Sequence, residues 1–234
     1  NIRLLCQEKV PQVKQEIEEF ARLIEQMFEQ ANWILDLASG NLMFTKAVSK
    51  STRDALALLG VSKILSDAYL AGGTACALYF GHRYSFDLDF FTNLEFPTKI
   101  VVKQLETLKG FNLQRTVKWT ILGSFPGVKF SYFYYPYQLI GKTLQFTNIR
   151  IASLEDIAAM KIAAICDRGT KRDFIDLYFI VKKKFPLSII LKLYDKKYKK
   201  LSNNLYTILK SLRYFVDADQ QSVQMIEKIS WEEV

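Results

Sequence analysis

A glycine pair followed at a fixed distance by two alternating aspartates constrains this chain more than any other feature. Between Tyr69 and Phe91 the sequence places a short apolar run, then Gly72-Gly73-Thr74, a helical pattern, and Asp87-Leu88-Asp89. Glycines at a strand-to-helix turn let backbone amides approach a phosphate, and a helix N-terminus favours negative charge. Aspartates two residues apart share one face of a strand. The pattern therefore predicts a strand–helix–strand unit that brings a phosphate cradle and a pair of carboxylates together.

The spacing makes this combination more specific than either half. A lone Gly-Gly-Thr is more often a tight turn, and a lone Asp-Leu-Asp is common. Twelve residues separate Thr74 from Asp87, which is enough for one helix and a turn back to a neighbouring strand. Paired carboxylates hold a divalent cation, which bridges nucleotide phosphates, and one of them can also accept the proton of an attacking hydroxyl. The pattern indicates metal-dependent nucleotide transfer.

A second group of charged residues lies further along the chain, among apolar ones. Lys161 and Arg168 are seven residues apart and share a helix face, and Asp173 and Asp176 share a face of the next helix. Buried charges are costly unless they pair or bind a ligand. The group is either part of a site or an internal ion-pair network, in which Arg168 or Arg172 pairs with one of these aspartates. The lone histidine, at position 82, is a poor candidate for a metal ligand, because no other His or Cys is suitably spaced.

Composition indicates a folded, basic protein. Half of the 234 residues are hydrophobic and the net charge is +8, which favours a polyanionic partner. No acid occurs between Thr107 and Leu154, and residues 181–213 contain ten basic residues and one acid. Three widely spaced cysteines and the absence of an apolar run of membrane-spanning length predict a cytoplasmic protein with reduced thiols and no membrane association.

Periodicity predicts an α/β (α+β) fold in three parts. These are a helical N-terminal extension over residues 1–42, a core with a mixed sheet over 43–152, and a helical C-terminal domain over 153–234. The pattern predicts strands at 68–71, 86–91 and 146–150, a hairpin formed by 111–121 and 127–137, and helices at 51–66, 74–80, 98–109, 153–166, 171–184, 187–198 and 203–215.

Two blocks of this sequence closely resemble the AbiEii/AbiGii nucleotidyltransferase toxin family of abortive-infection and toxin–antitoxin systems. They are LAGGTACALYFGHRYSFDLDFF and AAMKIAAICDRGTKRDFIDLYFI. The family patterns are LAGGTALAL-x-x-GHR-x-S-x-DLDFF and AAMK-x-x-A-x-x-x-R-x-x-x-RD-x-x-DL, in the same order. The resemblance covers residues 43–234, with the C-terminal helices less distinctive, and leaves the preceding 42 residues outside it.

The resemblance implies a polymerase-β-like nucleotidyltransferase core, a nucleoside triphosphate substrate, Mg²⁺ or Mn²⁺, and a cognate antitoxin. Some members of the family transfer nucleotides to the acceptor end of tRNA, and the basic segments suit tRNA or another RNA. Carried over, the metal ligands are Asp87 and Asp89, and the catalytic group adds Lys161 and Asp176. The residues assigned to nucleotide binding are Gly72, Gly73, Thr74, Arg83, Ser85, Lys161 and Arg172.

One departure from the wider superfamily concerns the metal ligands. A third carboxylate often comes from a later core strand, but residues 107–154 contain no acid. Either Asp173 or Asp176 supplies it, or two carboxylates suffice. Two other functions stay open at this point: a nucleotide- or RNA-binding module without catalysis, and a transferase that acts on a protein or a small molecule.

Overall fold

A seven-stranded mixed sheet organises the part of the chain that the structure, a computed structural model, describes, residues 43–234. The helical extension predicted for residues 1–42 lies outside the described residues. The strands are β1 (Tyr69–Leu70), β2 (Asp87–Thr92), β3 (Asn112–Val117), β4 (Thr120–Phe125), β5 (Val128–Tyr134), β6 (Leu144–Phe146) and β7 (Ile149–Ile151). Their order is β3-β4-β5-β2-β1-β7-β6. The pairs β1–β7 and β2–β5 are parallel and the others are antiparallel.

The described part of the chain also contains eight α-helices. They are α1 (Lys50–Ser62), α2 (Gly72–Phe80), α3 (Thr98–Leu105), α4 (Leu154–Asp167), α5 (Lys171–Lys183), α6 (Leu187–Tyr198), α7 (Leu201–Ser211) and α8 (Val216–Asp219). The α/β fold class with a mixed sheet followed by helices is confirmed. Helix α2 begins two residues earlier than predicted, so the glycine pair belongs to its first turn. Residues 44–234 form one compact unit, and a domain boundary at residue 152 stays a prediction.

The hairpin predicted from segments 111–121 and 127–137 is wrong in its first strand, because residues 111–121 contain β3 and only the start of β4, and it is β4 that pairs with β5. The chain reverses at Lys118-Trp119, where Trp119 has a φ of 58°. No Gly or Pro marks that turn, so turn chemistry gave no signal for it. Gly123 pairs with Phe130 inside β4. A second tight turn, at Thr147-Asn148, separates β6 from β7 where a single strand was predicted.

Alternation along the strands gives the sheet one apolar and one polar face. On the apolar face five side chains are almost fully buried: Leu88, Phe90, Ile121, Phe130 and Tyr132. Helix α3 covers this face, since it packs on β3 and β4 and Phe96 just before it stacks on Tyr132 at 4.3 Å. The opposite face carries Asp87 and Asp89, because they alternate with Leu88 and Phe90.

The end of the chain returns to the segment between α2 and β2. The amide of Tyr84 donates to the carbonyl of Gln224, and Ile226 donates to the carbonyl of His82. The C-terminal residues thereby hold in place the segment that carries Arg83. Among residues 43–234, none of the helices has the length and apolar character needed to span a bilayer.

Candidate active site

A polar pocket opens where four elements meet: the N-terminus of α2, strands β2 and β5, and the junction of α4 with α5. Five basic and three acidic side chains line it, together with hydroxyls and one glycine. The lining residues are Gly73, Thr74, Arg83, Ser85, Asp87, Asp89, Lys129, Ser131, Lys161, Arg168, Arg172 and Asp173. The two sequence blocks therefore converge on one pocket, although they lie far apart in the chain.

Most of the residues predicted for the site line this pocket, and two do not. Gly72 and Asp176 are not among its lining residues. The fold adds Lys129 and Ser131 of β5, which the sequence analysis did not single out. Strand β5 runs parallel to β2, with Lys129 opposite Asp87 and Ser131 opposite Asp89. Only this register could identify them, since neither lies in a motif.

The two β2 aspartates project into the pocket as a half-buried pair of carboxylates. Burial, and then the negative charge of Asp87, raise the pKa of Asp89, while a hydrogen bond from Ser131 lowers it. Arg172 donates to Asp87 at 3.3 Å, with about half of its side chain exposed. The two carboxylates repel each other, and the guanidinium groups near them are largely exposed. A divalent cation bound between the carboxylates would therefore lower the electrostatic energy of the site.

The glycine pair makes room for charged side chains at the pocket wall. A Cβ on Gly72, which has a φ of +67°, would lie 3.2 Å from Oδ2 of Asp89. A Cβ on Gly73 would lie 2.5 Å from a terminal nitrogen of Arg83. The next residue, Thr74, ties the helix to β2, since its hydroxyl bonds to Ser85 at 2.8 Å and donates to the carbonyl of Asp87. The turn thus positions an aspartate and an arginine in addition to offering amides at the helix N-terminus.

Asp176 is the centre of a fully buried ion-pair network. Arg83 donates to both of its carboxylate oxygens, at 2.7 and 2.8 Å. His82 Nε2 bonds to it at 2.8 Å, and Lys161 Nζ lies 2.5 Å away. Although burial opposes ionisation, Arg83 and Lys161 hold the pKa of Asp176 well below its usual range. Burial lowers the pKa of His82, and its Nε2 donates to the Asp176 carboxylate, which can only accept.

Asp173 extends this network to the pocket surface. It accepts hydrogen bonds from Lys161 at 2.9 Å, from Arg168 at 2.9 and 3.1 Å, and from the Thr170 hydroxyl at 2.6 Å. Lys161 is 3% exposed and bridges Asp173 and Asp176. An ammonium group has three donors, so one remains for a ligand in the pocket. Both aspartates are thus compensated by fixed cations of the protein.

The donor chemistry of the pocket fits a divalent cation at Asp87 and Asp89. Their carboxylates are hard oxygen ligands, and a cation between them would relieve their mutual repulsion. A second cluster, Cys76, His82 and Asp176, brings its ligand atoms within 4.8 Å of one another. It fits a cation poorly, because Arg83 and Lys161 already neutralise Asp176 and burial raises the pKa of the Cys76 thiol. Within residues 43–234, no other group of three such ligands comes as close together.

Removing the Ser131 hydroxyl should shift the acid limb of the activity profile to higher pH. Ser131→Ala deletes a hydrogen bond that favours the ionised form of Asp89, so the pKa of Asp89 rises further. Activity requires this carboxylate to be ionised, so on acidification the variant should lose activity at a higher pH than the wild type does. At alkaline pH we expect kcat/KM to stay within about twofold of the wild type.

Profiles of kcat/KM between pH 5 and pH 9 measure this shift. Ser188→Ala, on the exposed surface of α6, is the control. Superimposable acid limbs for the two variants would contradict the role given to Ser131.

Comparison with known proteins identifies the class to which this fold and site belong. The family described as "Nucleotidyl transferase AbiEii toxin, Type IV TA system" matches residues 128–231. The protein aq_aa25 of Aquifex aeolicus is 39% identical over 194 residues, which cover 81% of this chain and 93% of that protein. The crystal structure of JHP933 from Helicobacter pylori aligns with a TM-score of 0.50 at 20% identity, covering 80% of this chain and 88% of that one. The latter likeness shows a shared fold.

The protein is a nucleotidyltransferase. It belongs to the AbiEii family of nucleotidyltransferase toxins, as the two sequence blocks predicted. Membership implies a nucleoside triphosphate as substrate and an antitoxin as the counterpart of the toxin. Enzymes of this kind generally use divalent metal ions.

Proposed function

We propose that this toxin transfers a nucleotide from a nucleoside triphosphate to the 3′ end of tRNA, with Mg²⁺ or Mn²⁺ held by Asp87 and Asp89. The observation that carries the proposal is the pair of carboxylates on β2 facing a pocket whose other walls are basic. A bound cation would neutralise charge on the triphosphate and polarise its phosphoryl oxygens. Residues of this chain bind the triphosphate, position the cationic side chains and accept the proton of the attacking hydroxyl.

Four groups are suited to binding the triphosphate. The amides at the N-terminus of α2, at Gly73 and Thr74, point towards the pocket end of the helix and favour an anion. Lys161 has one donor free after it binds its two aspartates. Arg172 is half exposed and only weakly held by Asp87, so it can turn to a phosphate once that carboxylate binds a cation. Lys129 is exposed beside Asp87 and has no ion-pair partner among residues 43–234.

Arg83 and Asp176 act as positioning residues in this proposal. Arg83 is 1% exposed, and it uses Nε and one terminal nitrogen on Asp176 and the other on the carbonyl of Tyr84. Such a guanidinium is fixed in place, and it contributes positive potential at the pocket wall without leaving Asp176. Asp176 in turn fixes Lys161. The catalytic role first assigned to Asp176 therefore becomes the placement of two cations behind the phosphate site.

In the reaction, the 3′ hydroxyl oxygen of the acceptor attacks the α-phosphorus and the bond to pyrophosphate breaks. One carboxylate of the β2 pair accepts the hydroxyl proton, and Lys161 and Arg172 stabilise the charge that develops on the leaving pyrophosphate. Two carboxylates suffice in this proposal, because Asp173 and Asp176 are both saturated by cations. On the neighbouring strand β5, the residue opposite Asp89 is Ser131. A carboxylate at that position could serve as a third metal ligand, but this chain has a hydroxyl there.

An RNA acceptor is supported by the charge of the chain. The net charge is +8, and α6, α7 and the loops that follow each of them contain seven of the ten basic residues of segment 181–213. Long stretches of one sign are costly through self-repulsion unless they meet a polyanion. The 3′ end of tRNA is single-stranded and offers a free hydroxyl, which suits a pocket open on one side.

The decisive experiment is label transfer from each of the four α-³²P nucleoside triphosphates, with Mg²⁺ or Mn²⁺ and total RNA. We expect label in tRNA-sized RNA with the wild type and none with Asp87→Asn. Removal of the 3′ hydroxyl by periodate oxidation should abolish labelling, which places the new bond at the 3′ end. Label entering protein or a small molecule instead would contradict the tRNA acceptor, and triphosphate binding without any transfer would favour the inactive-module hypothesis.

A further inference from the structure

The polar face of the sheet continues beyond the pocket as an open platform. We call the side chains of β3, β4 and β5 that lie on the same face as Asp87 and Asp89 the open face. Directly paired residues of adjacent strands point to the same side. The register gives one row of Asp87, Lys129, Ser124 and Asn112, and a second row of Asp89, Ser131, Leu122 and Arg115. Each row begins at a β2 carboxylate and ends on the edge strand β3.

The open face is accessible to a ligand that approaches the pocket from the side of β3. Lys129, Asn112 and Arg115 are exposed, and Ser124 and Leu122 are half-buried. Their neighbours along the same strands, such as Ile121 and the residues facing α3, are buried. Helix α3 packs on the other side of these strands, where Phe96 stacks on Tyr132. The platform and the pocket therefore form one continuous polar surface.

Charge on this surface has a single sign outside the metal site. The strands β3, β4 and β5 contain no acid, because none occurs between residues 107 and 154. Arg115 and Lys129 supply positive charge, and Ser124 and Asn112 supply donors that bind phosphate or sugar oxygens. Neighbouring strands lie about 4.8 Å apart, so the three steps from β2 to β3 span about 14 Å. A surface of that width and sign fits a single polynucleotide strand.

We infer that the open face binds the single-stranded 3′ end of the RNA acceptor, which crosses β3, β4 and β5 with its terminal hydroxyl at the β2 carboxylates. This inference rests on the proposed function, since it assigns the path of the acceptor into that same pocket. Lys129 stands where the two substrates meet, next to Asp87. Arg115 contacts a phosphate upstream of the terminal nucleotide.

Two substitutions on the edge strand test the path, each with a matched control on α3. Arg115→Glu reverses a charge on the open face, and Lys99→Glu reverses one on the exposed surface of α3 behind the sheet. Asn112→Asp adds a charge to the open face with almost no change in shape, and Gln104→Glu adds one on α3. None of the four is buried, so we expect all variants to fold. Their melting temperatures verify this.

We expect Arg115→Glu to raise KM for tRNA about tenfold and Asn112→Asp about threefold, with kcat at saturating RNA within about twofold. The Kd for the triphosphate, measured without RNA, should stay unchanged. The slope of log kcat/KM against log salt should fall by about one for Arg115→Glu. If Arg115→Glu and Asn112→Asp behave as their α3 controls do, the acceptor takes another path and the inference is overturned.

Binding of a labelled single-stranded RNA separates failure of this inference from failure of the proposed function. Binding does not require transfer, so it is measurable even if the wild-type enzyme labels no RNA. Weaker binding by Arg115→Glu than by Lys99→Glu would then still support an RNA path across the open face. Equal binding by these two variants would overturn the path, whichever acceptor the enzyme uses.

Discussion

Replacing Asp89 with asparagine is expected to lower nucleotide transfer by at least about a thousandfold while leaving the protein folded. Asparagine keeps the shape of the side chain but removes the charge on which a divalent cation depends. Charge stabilisation at such a centre contributes several kcal/mol to the barrier, and each 1.36 kcal/mol corresponds to a factor of about ten in rate. Because burial and Asp87 both raise the pKa of Asp89, its charge is unfavourable in the free protein. Its removal should therefore leave the free energy of unfolding unchanged or slightly higher.

The measurement combines a single-turnover transfer assay with a urea unfolding curve. Asp54→Asn is the matched control, since Asp54 is exposed on α1 and, among residues 43–234, its ion-pair partner is Lys50 on the same helix. That control should retain full activity, because such surface pairs contribute less than about 1 kcal/mol. If Asp89→Asn retained more than about a tenth of the wild-type rate, Asp89 would not be a ligand of the catalytic cation.

The local parts of the site could be predicted from the sequence because their geometry is fixed by short-range rules. Alternation along a strand places Asp87 and Asp89 on one face, and the distance from Thr74 allows a single helix between them. The structure has that helix, α2, and that strand, β2. The succession of strands and then helices was predictable for the same reason, since each element carries its own periodicity, whereas periodicity does not determine which strands pair in parallel.

What the sequence could not supply depends on contacts between distant segments. Lys129 and Ser131 join the site only because β5 lies beside β2 in a parallel register, and no local pattern encodes that register. The turn at Lys118-Trp119 lacks Gly and Pro, so the separation of β3 from β4, and with it the extent of the open face, was missed. Asp176 was assigned a catalytic role from the family resemblance, and its position among apolar residues left open whether it belongs to a site or to an ion-pair network. Its partners His82 and Arg83 come from the other sequence block, so its burial against them was not visible in advance.

Asp176→Ala is expected to destabilise the protein by about 3–5 kcal/mol, the typical cost of breaking a buried ion pair by removing one partner. The substitution leaves Arg83 and Lys161 buried without the carboxylate that compensates them, and it removes the acceptor of the His82 hydrogen bond. Most domains are stable by only about 5–15 kcal/mol, so this is a large share of the total. Urea unfolding of Asp176→Ala and of Asp54→Ala, an exposed site, measures the difference. We expect less than about 1 kcal/mol for the control.

The pH dependence of stability gives an independent measure of the same network. The folded protein depresses the pKa of Asp173 and Asp176, so their contribution to stability is complete above the unfolded-state pKa, near 4. It is lost as the pH falls through the lower folded-state values. Wild-type stability should therefore decrease steeply on acidification below about pH 4. In Asp176→Ala this decrease should be shallower, because one of the two groups is gone.

These two measurements separate a positioning role for Asp176 from a catalytic one. A catalytic acid would lose activity on substitution while the free energy of unfolding stayed within about 1 kcal/mol of the wild type. A positioning residue loses both, and its activity loss should shrink when Asp176→Glu restores a carboxylate to the network. Asp89→Glu should show no such recovery, because a ligand of a catalytic cation must hold its oxygen atoms in place. A stable Asp176→Ala protein without transfer activity would return Asp176 to the catalytic group and contradict the role that its four contacts with Arg83, His82 and Lys161 assign to it.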